Sequence, residues 1–483
     1  MVRFAQIKLI AKHTYKRILN TSINHWLIGV FLVLTAVALS TSFLTNSQHQ
    51  HEIEHYGEDV RARWENNPDK HPHRMAHYGY VAFRSKTALS FFDRGLDSYL
   101  GNVIFLEAHR QNSVNFSNAS QSSGLLRFGE LSAGLLLQLL LPLLIFFWGF
   151  ASVSDEREKG ISKLYLTQGV AWKEVILGKS LGVFSVSMLI TLPILFLTLV
   201  FLLVSPQSNA LAYSLYPLVL MSLSYLVYTL IMSMLSVWVS ARSASSKSAL
   251  IQLIGFWLFF VLIVPKLSQV TAQILYPSPS KIAFDMMVED ELIQQGDSHN
   301  PDDPHFNAIR DSLLQAYKVS SVKDLPFNYS GFIMKEGEKL STDIYRKYQS
   351  DLIRTYLQQN GVVNAMAMLN PYLAIKNISM TLSGSDFDSY QIFKAETEEY
   401  RYKLAQTMND LQIKYISNTT TSSADKGAVI SQQYWKDFPM FEHRFLTKKE
   451  MTQSIAYSTL ALLVWLLALA LGILFLTKNI KAF

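Results

Sequence analysis

The sequence predicts an α-helical integral membrane protein: six transmembrane helices plus a mainly helical composite domain on one face of the bilayer. Three observations carry this. Of 483 residues, 49% are hydrophobic and only 17% are charged, against about 25% charged in soluble domains. Six apolar runs approach or exceed the roughly 20 residues that cross a bilayer. Two long polar stretches, 45–130 and 267–451, interrupt those runs, and the second shows helical periodicity.

Residues 1–23 carry Arg3, Lys8, Lys12, Lys16 and Arg17 and no acid, interleaved with Phe4, Ile7, Leu9, Ile10, Tyr15, Ile18 and Leu19. That pattern predicts a basic amphipathic helix lying on an anionic leaflet, with membrane lipid as its partner. The first span occupies 24–44, with Trp26 at the interface. Its apolar run, 26–43, is too long for the core of a cleaved leader, so we expect an uncleaved signal-anchor. Spans two to five fall within 131–266: 131–152 around Pro142, 175–204 around Pro193, 213–239, and 249–266 ending at Pro265. The last span occupies 452–477, before a basic tail, 478–483, with Lys478 and Lys481. Short loops on one side hold Arg or Lys, while the connection 205–212 holds neither. The excess of bases places both termini in the cytoplasm and both polar stretches together outside. In the second stretch, 335–360 repeats through Leu340, Ile344, Tyr348, Leu352 and Tyr356, and 396–416 through Tyr400, Leu404, Met408 and Leu411. Pro326 and residues 422–425 read as turns.

Several functions are disfavoured. The net charge of +6 comes from bases flanking spans, so nucleic acid is not an expected partner. With no cysteine, disulfides, thiolate nucleophiles and Cys-based zinc sites are excluded. The spans lack an obvious mid-depth ionisable residue, which argues against ion-coupled transport and intramembrane proteolysis. Gln138 and Gln252 are the polar exceptions and read as helix packing. Gly178, Lys179 and Ser180 end like a phosphate loop, but Lys173 stands where that motif needs glycine and no strand precedes it. The chain is therefore expected to be no enzyme and to bind no cofactor.

Histidines gather in the first polar stretch: His49, His51 and His55, then His71, His73 and His77. His51/His55 and His73/His77 have the i, i+4 spacing that puts two rings on one helical face. His73 and His77 are the candidates for a metal, given a third ligand. Pro72 and Gly79 disfavour a continuous helix there and no H-E-x-x-H occurs, so the expected state is a solvated or hydrogen-bonded cluster without metal.

Between spans two and three, residues 153–174 form a charged hairpin. Asp155, Glu156 and Glu158 open it, and Lys159, Lys163 and Lys173 follow, an order that suits the helix dipole. Gly160 breaks the first helix, and Leu164, Tyr165 and Leu166 add apolar surface. This stretch resembles the first cytoplasmic loop of permease subunits of the ABC-2 transporter family, through Asp155, Glu156, Arg157, Glu158 and Gly160, then Leu164 and Gly169. Pro72, His73, His77, Tyr78 and Gly79 are similar to a PH-x3-HYG run of a bacterial subgroup with two periplasmic insertions. Residues 107–112 match its EAHRQN run. Pro371, Leu373, Ala374, Ser379, Met380, Leu382, Gly384 and Asp386 match a third, from which Asn370 and Ser383 depart.

The resemblance implies a half-transporter of the bacterial inner membrane. It would dimerise with a second copy or a paralogue and recruit separate ABC ATPase subunits, which bind the ATP. The coupling residues it implies are Asp155, Glu156, Arg157, Glu158, Gly160, Lys163 and Leu164. Export or extraction of a cargo is the expected outcome. The alternatives are mechanotransmission to a periplasmic partner, or a membrane-anchored periplasmic metal-binding module.

Overall fold

Among the described residues of the computed structural model, six helices long and apolar enough to cross a membrane carry a mainly helical head domain. The structure describes residues 3–112, 130–207, 210–298, 300, 302–419 and 428–476. The turn expected at 422–425 and the basic tail lie outside these residues.

Helix α1 (Phe4–Leu19) is amphipathic, and its buried face packs on protein. Ile7, Thr14 and Ile18 are buried, while Phe4 and Leu9 are exposed. Its neighbour is α7 (Trp172–Leu203), which offers Gly178 and Gly182 to the contact. A Cβ on Gly178 would lie 2.7 Å from Ile10 Cβ, and one on Gly182 2.6 Å from Thr14 Cβ. Small residues four apart let two backbones approach this closely. The glycine of Gly178–Lys179–Ser180 thus serves helix packing rather than a phosphate loop.

Helix α2 (Ser22–Glu65) does not stop at the end of its apolar run. It continues through the histidine-rich polar residues into the head, so one rigid rod joins span and domain. A short helix α3 (Pro72–Tyr78) and an antiparallel pair, β1 (Tyr80–Phe83) and β2 (Val103–Leu106), follow, with Tyr80 opposite Leu106. The second span, α4 (Ala133–Gly149), leads to α5 (Ser154–Glu158) and α6 (Ile161–Thr167) of the hairpin. Helix α7 returns, and α8 (Ala210–Arg242) descends again.

The fifth span does not end at Pro265. Helix α9 (Ser246–Leu258) passes through a π turn at Phe259–Ile263 into α10 (Val264–Leu275). A wide turn ahead of a proline absorbs the clash of its ring with the preceding turn.

In the head, α11 (Lys281–Gln295), α12 (Pro304–Tyr317), α13 (Tyr329–Ala367) and α15 (Phe387–Tyr415) are the main helices. The two polar stretches form one body. Trp64 and Trp435 share a core with Met75, Tyr80, Leu404, Met408 and Phe438, and Trp64 Nε1 donates to the Trp435 carbonyl at 2.9 Å. Lys70 and Ile430 form a β-bridge. After the short α16 (Gln433–Lys436), helix α17 (Lys448–Leu476) makes the sixth span.

Helix α14 (Pro371–Ser383) is not separately predicted by the sequence. It wedges between α17, α8 and α4. Asn370 Oδ1 caps it by accepting from Tyr372 N at 3.0 Å. Asn370 Nδ2 donates to the Phe260 carbonyl at 2.7 Å, inside the π turn. Gly384, at φ 68, ends the helix in the left-handed region.

Candidate functional site

The hairpin at the base of the spans is built around one buried carboxylate. Glu156, 5% exposed, accepts from Arg17 Nη1 of α1 at 3.0 Å and pairs with Lys179 of α7. Lys179 also donates to the Ser152 carbonyl. Three segments far apart in sequence therefore meet on a single acid. Removing such an acid strands Lys179 in a dry site, at a cost of about 3 kcal/mol.

The remaining charges divide between anchoring and exposure. Arg157 Nη1 donates to the Ala241 carbonyl at the end of α8, 2.8 Å away. Glu158 Oε1 accepts from Ser246 N at 2.8 Å, supplying an acid to the N-terminus of α9. Asp155 pairs along the surface with Lys159 at 2.8 Å. Ser240 Oγ accepts from the amides of Val153 and Ser154 at 3.0 and 3.1 Å. At the far end of the hairpin, Glu174 accepts from the Ala171 amide at 3.0 Å and from Arg3 Nη2 at 2.9 Å.

Gly160 (φ 75) and Gly169 (φ 77) bracket α6 in left-handed conformations that favour glycine. Between them, Lys163, Leu164, Thr167 and Gln168 are exposed, and Leu164 shows 60% of its surface. Of the residues expected to couple, Glu156 is thus turned inward and cannot present a contact surface. Arg157 and Glu158 brace neighbouring spans. Lys163 and Leu164 are the outward pair, flanked by the Asp155–Lys159 ion pair.

A polar thread crosses the spans towards the head. Gln138 Nε2 donates to Asp93 Oδ2 and to Tyr225 Oη, both at 2.8 Å, and Tyr225 Oη meets Ser379 Oγ of α14 at 3.0 Å. Tyr228 Oη donates to the Gln138 carbonyl at 2.9 Å. Gln138, expected only to pack, joins α4, α8, α14 and the head loop carrying Asp93.

In the head, Pro72 and Gly79 bound a helix rather than break one. Pro72 sits in the first turn of α3, where its missing N–H is harmless, and Gly79 (φ 71) ends it. His73 and His77 therefore do share a face, with ring centroids 4.7 Å apart. The turn after β2 brings His109 to 5.5 Å from His73 and 5.4 Å from His77, centroid to centroid. Helical spacing gives no sign of this third member, which lies in the EAHRQN run, 107–112. His51 and His55 are exposed on α2, and His49 Nε2 lies 3.4 Å from the Arg84 carbonyl.

Beneath His109 lies Glu338 of α13, fully buried. Its Oε2 accepts from His109 N at 2.9 Å and lies 3.0 Å from His109 Nδ1, while Oε1 accepts from Arg401 Nη1 at 2.6 Å. Burial alone would push the Glu338 carboxyl up, but His109 and Arg401 outweigh it and hold it down at about 2.

Residues 281–444 match the family described as "Domain of unknown function (DUF3526)". The match covers most of the second polar stretch, including α14, and leaves the hairpin outside it. No curated protein matches the chain.

Proposed function

We propose that the chain is the membrane-spanning permease subunit of an ABC-2 type transporter of the bacterial inner membrane. It pairs with a second copy or a paralogue and takes force from a separate ATPase through the hairpin. Both termini and the hairpin are then cytoplasmic, and the head is periplasmic. The observation that supports this best is the construction of the hairpin. Its exposed turn, Lys163 and Leu164, sits on a base bonded to α1, α7, α8 and α9. A push on that turn reaches four helices at once, and packed elements with two arrangements convert such a push into motion.

Helix α14 favours a second reading, mechanotransmission. Wedged among spans and joined by short turns to α13 and α15, it links them directly to the head. In that version the head is the output and works on a periplasmic partner without transport. The two versions share the hairpin and differ in whether cargo passes between protomers.

Affinity purification of the full chain from its native membrane, followed by ATPase assay, tests the proposal. Wild type is expected to bring down a nucleotide-hydrolysing subunit, and Lys163→Glu/Leu164→Glu to lose it while melting unchanged. Equal recovery of the hydrolase with that variant rules out the hairpin as the docking site.

A further inference from the structure

Three histidines from two segments of the head converge on one point. The ligand nitrogens of His73, His77 and His109 all lie within 4.8 Å of one another. We propose that this cluster binds a first-row divalent transition cation of the zinc and copper class. Imidazole nitrogens suit Zn2+, Cu2+, Ni2+ and Co2+, whereas Ca2+ and Mg2+ take oxygen ligands. Zinc–nitrogen bonds of about 2.0–2.1 Å put tetrahedral ligands roughly 3.3 Å apart. The present nitrogens, within 4.8 Å of one another, draw closer to reach that size when a cation binds. His77 is exposed and the other two are half-buried, so a cation enters from solvent and keeps a position open to water.

An independent observation comes from below the cluster. Glu338 grips His109 at both its amide and Nδ1. With Nδ1 committed there, Nε2 is the nitrogen a cation takes. A carboxylate behind a histidine fixes its ring and tautomer, as in metal sites generally. His109 also holds φ 61, a region that non-glycine residues seldom occupy. The Glu338 bond to its amide lies at that strained residue. On the other side, the Ala108 amide donates to the Ala76 carbonyl at 3.3 Å, tying the turn to α3. Arg401, itself held by Glu398 at 2.8 Å, keeps Glu338 in place. Helix, turn and buried acid thus bring the three histidines together, and the acid holds the His109 ring. A cluster that merely faced solvent has no need of this support. Failure of the metal site leaves the transporter reading untouched, because the two use opposite ends of the molecule.

The full chain in detergent, stripped with chelator, is titrated with Co2+ and then Zn2+. We expect one equivalent of Co2+ to give visible ligand-field bands and one equivalent of Zn2+ to erase them. His77→Ala, at an exposed position, is expected to weaken binding at least about 100-fold without lowering the melting temperature. His109→Ala should weaken binding as much, with some loss of melting temperature because Glu338 loses its Nδ1 partner. His51→Ala/His55→Ala should bind as wild type. Glu338→Gln, a change to a positioning residue, should weaken Zn2+ by about 10–100-fold and shift the Co2+ bands. Absence of the bands in wild type overturns the site, as does full-strength binding by His77→Ala. Loss of binding in His51→Ala/His55→Ala moves it elsewhere and equally defeats the assignment.

Discussion

The base and the head each contain a carboxylate sealed from water between two partners, yet the two arrangements serve different ends. Glu156 meets Arg17 and Lys179, two basic side chains of the chain itself, so its contacts are complete within the chain. Glu338 meets one permanent cation, Arg401, and one histidine, His109, whose ring faces two more histidines. The first acid is a clamp. The second is a clamp with a ligand-bearing arm. Similar electrostatics therefore support a rigid handle at one end and a candidate binding site at the other.

The largest expected effect comes from breaking the head clamp. Glu338→Ala removes the fully buried one of the two carboxylates that hold Arg401, itself 1% exposed, and should destabilise the head by roughly 3–5 kcal/mol. Tryptophan fluorescence during unfolding in detergent would follow this, because Trp64 and Trp435 report the head core. Glu156→Ala should cost somewhat less, about 3 kcal/mol, because Arg17 is partly exposed and can rehydrate.

Paired replacement sharpens the contrast. Glu156→Leu/Lys179→Met exchanges a buried ion pair for apolar groups and should recover most of the stability lost by Glu156→Ala. Glu338→Leu/Arg401→Leu should likewise recover stability but not metal affinity. Recovery of Zn2+ binding in that double variant would mean that the acid has no positioning role.

Next in size is the thread through the spans. Tyr225→Phe removes the hydroxyl shared by Gln138 and Ser379 and should cost about 1–2 kcal/mol. Smallest is Arg3→Ala at the hairpin's outer end. Arg3 is 47% exposed, so solvent screens its pair with Glu174 and the melting temperature should barely move. A thermal melt that ranks Arg3→Ala above Glu156→Ala would reverse the hierarchy.

The spans were legible because an apolar run as long as a bilayer is thick seldom occurs outside one. The hairpin was legible because charge between two such runs must leave the bilayer. What the sequence hid was long-range pairing. Nothing near Glu156 announces that it points inward, since its partner Arg17 is 139 residues away. Helix α14 is only 13 residues long and carries Lys376, Asn377 and Ser379, so it does not read as an element among spans. The continuation of α2 past residue 44 was equally hidden, because its polar turns gain order from packing in the head. His109 is joined to His73 and His77 only by the folding of β2 back onto β1. Pro72 misleads because its effect depends on position: in a helix interior it breaks, in the first turn it begins.

The absence of cysteine from the chain allows the central claim to be tested with a single introduced thiol. Leu164→Cys, fitted with a thiol-linked photo-crosslinker in native membranes, should form an adduct containing a nucleotide-binding protein, with a yield that changes when ATP is added. An adduct with lipid alone, or labelling of position 164 from the same side of the membrane as a cysteine at position 77, would contradict the account.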